Sequence, residues 1–259
     1  MAEVQLKVEN LSIAFGGLKA VDDLSFDISK GQIYGLIGPN GAGKTTVFNM
    51  ISQFYKPDSG KVTFEGKVAT ELKVFQMVDI GVTRTFQNVE LFKNMTVLDN
   101  LLVGYHSKIK YGTFASMFML PKVMKEEKKA KEEALQILDF LGIREYENRL
   151  VINLPYGIQK LIELARALIS KPKLIILDEP AAGMNDTETK VLAERIKNIR
   201  DNLGITILLV EHDMSLVMNI CDRITVINFG KKIAEGTPKE IQNNPVVIEA
   251  YLGEGSSDV

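Results

Sequence analysis

Residues 38 to 45 read Gly-Pro-Asn-Gly-Ala-Gly-Lys-Thr, and this short run restricts the fold more than any other. It follows the apolar stretch Ile33 to Ile37 and opens an expected helix from Thr45 to about Ser52. Glycines let backbone N–H groups curl around phosphate oxygens, and the N-terminus of a following helix favours negative charge. Lys44 then reaches the β- and γ-phosphates, while the Thr45 hydroxyl can ligate Mg²⁺. The pattern G-x-x-x-x-G-K-[ST] is complete, with a strand before it and a helix after it. A glycine-rich turn serving only as a connection needs none of this, so the run predicts a nucleoside triphosphate site.

Leu174-Ile-Ile-Leu-Asp178-Glu179 supplies the second half. A buried strand ends in two acids, which places both carboxylates at the carboxyl edge of a sheet, where ligands bind in open α/β folds. Asp178 is expected to hold Mg²⁺ through water, and Glu179 to orient or deprotonate the attacking water. An acidic pair after a strand is commonplace by itself; beside a phosphate loop it reads as chemistry.

Around these points the pattern alternates. Val4, Leu6 and Val8, then Leu24, Phe26 and Ile28, have the two-residue period of half-buried strands, with Phe15-Gly16-Gly17 as a turn between them. Val62 to Phe64 is a further short strand. Thr96-Val-Leu-Asp99 looks like a capped helix start, and Ala130, Ala134, Ile137, Leu138 and Leu141 recur at helical spacing within a dense run of charges. That charge run reads as a solvated face. Leu161 to Ile169 is a helical run, Asp186 to Asn202 another, and Ile205 to Val210 and Arg223 to Asn228 are strands. Thr237-Pro-Lys-Glu240 starts a last helix. Alternation of strands with helices argues for a parallel sheet. The expectation is one α/β domain over residues 1–259, with a helical insertion from about 91 to 165 and a loose tail from Gly253 to Val259.

Composition narrows the function. The chain has 259 residues, 46% hydrophobic and 25% charged, with a net charge of -2, so nucleic acid is not an expected partner. The single Cys221 excludes an internal disulfide framework and is expected to be a buried, small apolar residue. Met1-Ala-Glu-Val4 lacks the pattern of a signal peptide, and no apolar run is long enough to span a bilayer. Work at a membrane would therefore go through other chains.

Three smaller features complete the set: Gln87 in Thr-Phe-Gln-Asn, His212 directly after the strand ending at Val210, and Leu154-Pro-Tyr-Gly157-Ile-Gln159 before a helix. Singly they are a polar loop residue, a strand-end histidine and a helix entry. In order along the chain, all these features together resemble the ABC (ATP-binding cassette) ATPase family over essentially the whole length. The resemblance implies a P-loop NTPase (RecA-like) core, an N-terminal antiparallel β subdomain and an inserted helical subdomain. It implies ATP and Mg²⁺ as cofactors. Phe15 then matches the aromatic that stacks on adenine, and Gly38, Pro39, Asn40, Gly41, Ala42, Gly43, Lys44, Thr45 and Thr46 the Walker A loop. Gln87 matches the Q-loop glutamine that touches Mg²⁺ or the lytic water, and Leu154 to Gln159, with Gly157, the signature motif. Asp178 and Glu179 match the Walker B acids, Ala182 to Asn185 the D-loop, and His212 the switch histidine that holds the γ-phosphate.

Phe15-Gly-Gly-Leu-Lys-Ala-Val21, the insertion around Gly104 to Lys122, Leu-Pro-Tyr-Gly and Glu-Pro-Ala-Ala-Gly-Met-Asn185 look like the larger ATPase subunit of branched-chain amino acid importers. Close relatives serve urea, amides and lipopolysaccharide export. The implied partners are integral membrane permease subunits, a second ATP-binding subunit and, indirectly, a solute-binding protein. The implied location is the cytoplasmic face of the cell membrane. One departure stands out: the family's signature usually has Ser where this chain has Pro155, and often Gln where it has Ile158. Proline supplies neither a hydroxyl nor an N–H, so the signature's contact to a facing nucleotide is expected to be weakened. Soluble ABC ATPases that remodel DNA or ribosomes carry long coiled coils or tandem cassettes, which are missing here. A binding module without turnover would lack Glu179, and a metabolite kinase has no use for a signature motif.

Overall fold

The computed structural model describes residues 3–106 and 121–252. The Gly253 to Val259 tail and most of the Gly104 to Lys122 insertion lie outside the described residues. The chain divides into two compact units, Met1–Arg84 with Lys173–Val259, and Thr85–Pro172.

In the first unit, β1 (Val4–Phe15) and β2 (Leu18–Ser29) form a hairpin around Gly16-Gly17, and β1 also pairs antiparallel with β4 (Ser59–Phe64), which pairs with β5 (Lys67–Val68). The sequence pattern predicts Val4, Leu6 and Val8 on one inner face. Leu6 and Val8 are buried, but Val4 is exposed. A register shift between Val4 and Leu6 turns Gln5 inward instead, as a bulge does by adding a residue to one strand. Its buried amide is satisfied at both ends: Nε2 donates to Glu65 Oε1 at 3.1 Å, and Oε1 accepts from the Thr206 hydroxyl.

The second sheet of this unit has six strands in the order β10-β9-β3-β8-β7-β6: β3 (Ile33–Ile37), β6 (Val82–Arg84), β7 (Leu174–Asp178), β8 (Thr206–Val210), β9 (Arg223–Asn228) and β10 (Lys231–Gly236). All neighbours run parallel except β10, which is antiparallel to β9. Residues of β3, β7 and β8 are buried throughout, which is why these strands read as largely apolar runs rather than alternating ones. Helices α1 (Lys44–Ile51) and α2 (Gln76–Asp79) belong to this unit, as do α6 (Asp186–Leu203), α7 (Met214–Ile220), α8 (Pro238–Gln242) and α9 (Pro245–Leu252). The expected capping box Thr237/Glu240 starts α8, and Asn185/Glu188 makes a second one before α6. Cys221 is buried and free, and burial pushes its thiol up to about 12.

The second unit is helical. Helix α3 (Val97–Tyr105) begins with the Thr96/Asp99 capping box, and α4 (Pro121–Leu141) buries Ala130, Ala134, Leu138 and Leu141. Helix α5 (Tyr156–Leu168) starts five residues before the expected Leu161. Pro155 is its N-cap, and Tyr156-Gly-Ile-Gln159 form the first turn instead of a loop before it. Proline is at home at a helix start because the N–H it lacks would have no partner there.

Candidate nucleotide site

The phosphate loop lies between β3 and α1. A Cβ on Gly38 would sit 2.1 Å from the Ile227 carbonyl oxygen, and one on Gly43, at φ 100°, would sit 2.5 Å from that of Ala20. Both positions therefore require glycine, for close approach of backbone to backbone. The loop is braced from outside as well: Gly230 N–H donates to Ala42 O at 2.9 Å, and Asp22 N–H to Gly230 O at 2.9 Å. Lys44 is buried, and its Nζ donates to Gly38 O (2.6 Å) and Pro39 O (2.9 Å), so the ammonium is held against the loop. Asn40, Gly41 and Thr45 face solvent, and Thr46 is partly covered.

Parallel pairing brings the carboxyl ends of β7 and β8 together, with Asp178 opposite Val210. Glu179 N–H donates to Val210 O at 2.9 Å, and Glu179 has a φ of 45°. A non-glycine residue there is strained by about 1–3 kcal/mol, as at many functional sites. Its carboxylate Oε2 is 3.6 Å from His212 Nδ1, so the two residues expected to handle water and γ-phosphate are neighbours. Glu211 was missed from the sequence. Its fully buried carboxylate accepts N–H bonds from Ala181 (2.7 Å), His212 (3.1 Å) and Asp213 (3.3 Å). It thus ties the segment after Glu179 to the segment carrying His212. Burial pushes its pKa above the usual carboxylate range, while the three amides pull it back. The available signal was an acid directly after the buried strand Thr206–Val210.

Arg84, at the end of β6, was missed too. Its Nη2 donates to Asp178 Oδ2 at 2.7 Å and its Nη1 to Asn49 Oδ1 (2.7 Å) and Ser52 Oγ (2.8 Å). The guanidinium lies over the rings of Phe48 and Phe54, 5.7 and 5.4 Å from their centroids.

Phe15 is half exposed at the hairpin tip, with Tyr55 edge-on at 5.5 Å between ring centroids. Asp58 anchors this tip, accepting from Ala14 N–H at 2.8 Å and donating its own N–H to Ser12 O at 2.9 Å. An exposed ring held in place by its neighbours is a suitable platform for a flat base.

Gln87 and Gly157 belong to the second unit. There Lys160 Nζ donates to Gln87 O at 2.7 Å, and Gly157 is buried in the first turn of α5. Pro155 is exposed and offers no side-chain cap.

Among the described residues no group of three or more His, Cys, Asp or Glu is placed to hold a metal. The Asp178 carboxylate and Thr45 hydroxyl are hard oxygen donors. One carboxylate plus substrate phosphates and water is the donor set that Mg²⁺ takes, and a closed cage of side chains is not required. The residues fit that ion.

The ABC transporter family model matches residues 21–182, and that of the branched-chain amino acid ATP-binding cassette transporter matches residues 231–256. The high-affinity branched-chain amino acid transport ATP-binding protein LivG of Salmonella typhimurium is 47% identical over 254 residues, 98% of this chain and 100% of that protein. Its Pseudomonas aeruginosa counterpart BraF is 44% identical over the same shares. An ATP-binding cassette of an ABC transporter, solved in its ADP conformation, superposes with a TM-score of 0.85 at 37% identity, covering 96% of this chain and 99% of that one.

Proposed function

Since this chain belongs to the ABC transporter ATP-binding family, we propose that it binds and hydrolyses ATP to power the transport of branched-chain amino acids into the cell. The observation that carries the reading is the meeting of Glu179 and His212, 3.6 Å apart, at the sheet edge formed by β7 and β8. Identity of 47% along 98% of the chain to a branched-chain amino acid transport protein supports the solute class.

In this reading Lys44 and the loop amides from Gly38 to Thr46 cradle the phosphates, and Phe15 stacks on the base. Asp178 through water, the Thr45 hydroxyl and Gln87 would hold Mg²⁺, which neutralises charge on the phosphate oxygens. Glu179 aligns a water and takes its proton, and His212 holds the γ-phosphate. Catalysis is then mostly positioning and charge stabilisation. A second ATP-binding subunit would complete each site with its signature motif, Gly157 of this chain playing that part for the partner. No described helix is long and apolar enough to cross a membrane, so motion would pass to separate permease subunits at the cytoplasmic face. A solute-binding protein would be coupled to the cycle indirectly.

The test is to isolate the complex from its native membrane and measure ATP turnover with the co-purifying solute-binding protein. Leucine, isoleucine or valine should raise turnover, and Lys44→Ala should abolish it. Stimulation by urea or an amide instead, or no membrane subunits in the complex, would overturn the proposal.

A further inference from the structure

Three charged side chains of α5, spaced three residues apart, grip the backbone of segment 86–90. Lys160 Nζ donates to Gln87 O at 2.7 Å, Phe86 N–H donates to Glu163 Oε1 at 3.4 Å, and Arg166 Nη1 donates to Glu90 O at 2.5 Å. Residues three apart on a helix are neighbours, so one stripe of α5 holds three backbone groups of an irregular segment. Lys160 and Glu163 are almost fully buried, with Nζ and Oε2 4.0 Å apart. Burial disfavours both charges, raising the Glu163 pKa, with Lys160 opposing. Buried ions contribute little net stability even when paired, and a role in fixing one arrangement is the better-attested reason to keep them. The Lys160 ammonium also lies 5.8 Å from the centroid of the Tyr156 ring, in the first turn of the same helix. One side chain therefore touches both the Leu154 to Gln159 motif and the backbone of Gln87.

We propose that Lys160, Glu163 and Arg166 are positioning residues for Gln87, joining the segment 86–90 and the helix that carries the signature motif into one rigid piece. A displacement of either part is then transmitted to the other without loss in a flexible loop. The proposal rests on the reading of Gln87 as the residue that touches Mg²⁺ or the lytic water.

The experiment compares Lys160→Met and Arg166→Met with the parent protein, each also in a Gln87→Ala background. It records ATP affinity, turnover and backbone hydrogen exchange. Arg166 is only partly buried, so its variant serves if Lys160→Met does not fold. Expected are faster exchange confined to 86–90, unchanged ATP affinity and a fall in kcat between about tenfold and a hundredfold, the scale of a misplaced catalytic group. Lys160→Arg should restore most of the rate, because a guanidinium still donates to Gln87 O. In the Gln87→Ala background the same substitutions should cost nothing further. Unchanged exchange at 86–90, or an equal loss of rate in the Gln87→Ala background, would overturn the proposal. If Gln87→Ala itself turns over normally, the catalytic reading of Gln87 fails, and the clamp stands or falls on the exchange data.

Discussion

Nη2 of Arg84 lies 2.7 Å from Oδ2 of Asp178, and both side chains are almost closed to solvent. The carboxylate that this chain would turn towards a metal ion is thus already balanced by the strand beside it, since β6 pairs with β7. The arginine in turn is held by Asn49 and Ser52 of the region that follows the phosphate loop.

Arg84→Met should therefore cost more than a surface ion pair would. Leaving one buried charge without its partner costs about 3–5 kcal/mol, which lowers the melting temperature by roughly 10 °C in a chain of this size. Mg²⁺ with ATP should recover part of that loss by supplying positive charge near Asp178. Thermal scans with and without Mg·ATP check both points, and an unchanged midpoint without nucleotide contradicts the assignment.

Glu179→Gln keeps the shape and removes the proposed base. ATP binding should persist while turnover falls roughly 10²–10⁴-fold, with ATP accumulating in a closed dimer. Wild-type turnover by the purified variant would remove Glu179 from the mechanism.

Glu211 carries a pH signature. Its folded pKa is raised by burial, so folding favours the protonated acid, and the stability linked to this group is fullest below the unfolded value. It is lost as pH rises through the folded pKa. Glu211→Gln should flatten that fall and leave one of the three amides facing an NH₂ group, an unmet bond costing about 1–3 kcal/mol. Urea unfolding of both proteins across the weakly acidic range measures the difference; parallel curves would show that Glu211 does not titrate there.

Phe15→Ala should weaken ATP and GTP alike, because stacking uses a face that every base offers. Base stacking on an aromatic is worth about 1–3 kcal/mol in single-strand binders, used here as an analogy. Calorimetry with both nucleotides reads the change. An unaltered affinity would make the Phe15–Tyr55 pair a packing contact only.

Pro155→Ser tests the departure in the signature. A serine at the N-cap can accept an N–H bond from the first turn of α5, worth about 0.5–2 kcal/mol, so the melting temperature should rise slightly. Its hydroxyl would also give a facing γ-phosphate a bond of about 1.5–3 kcal/mol. Turnover of the isolated chain at high concentration should increase, whereas the wild type should need a second kind of ATPase subunit. Equal rates, with a tight ATP-bound wild-type homodimer, would overturn this.

The parts of the site legible without coordinates are those made by neighbours in the chain. The capping pairs Thr96/Asp99 and Thr237/Glu240 each complete their bonds within three residues, so spacing alone reveals them, and the glycine run from Gly38 likewise announces the tight connection between β3 and α1. Val4 shows the limit of that method: its alternation with Leu6 is real, yet a register shift against β2 leaves it exposed and turns Gln5 inward.

What sequence determined, then, is the local pattern: a glycine-rich loop between a strand and a helix, two acids at a strand end, and the alternation that makes an α/β core. Tertiary structure alone decided who balances that chemistry. Arg84 reaches Asp178 across 94 residues, Glu211 holds Ala181 across 30, and Lys160 holds Gln87 across 73. The physical reason is that a buried charge or amide must find a partner wherever the fold places one. That place is set by the order of strands in the sheet and the stripe of a helix turned inward, neither of which a run of residues records.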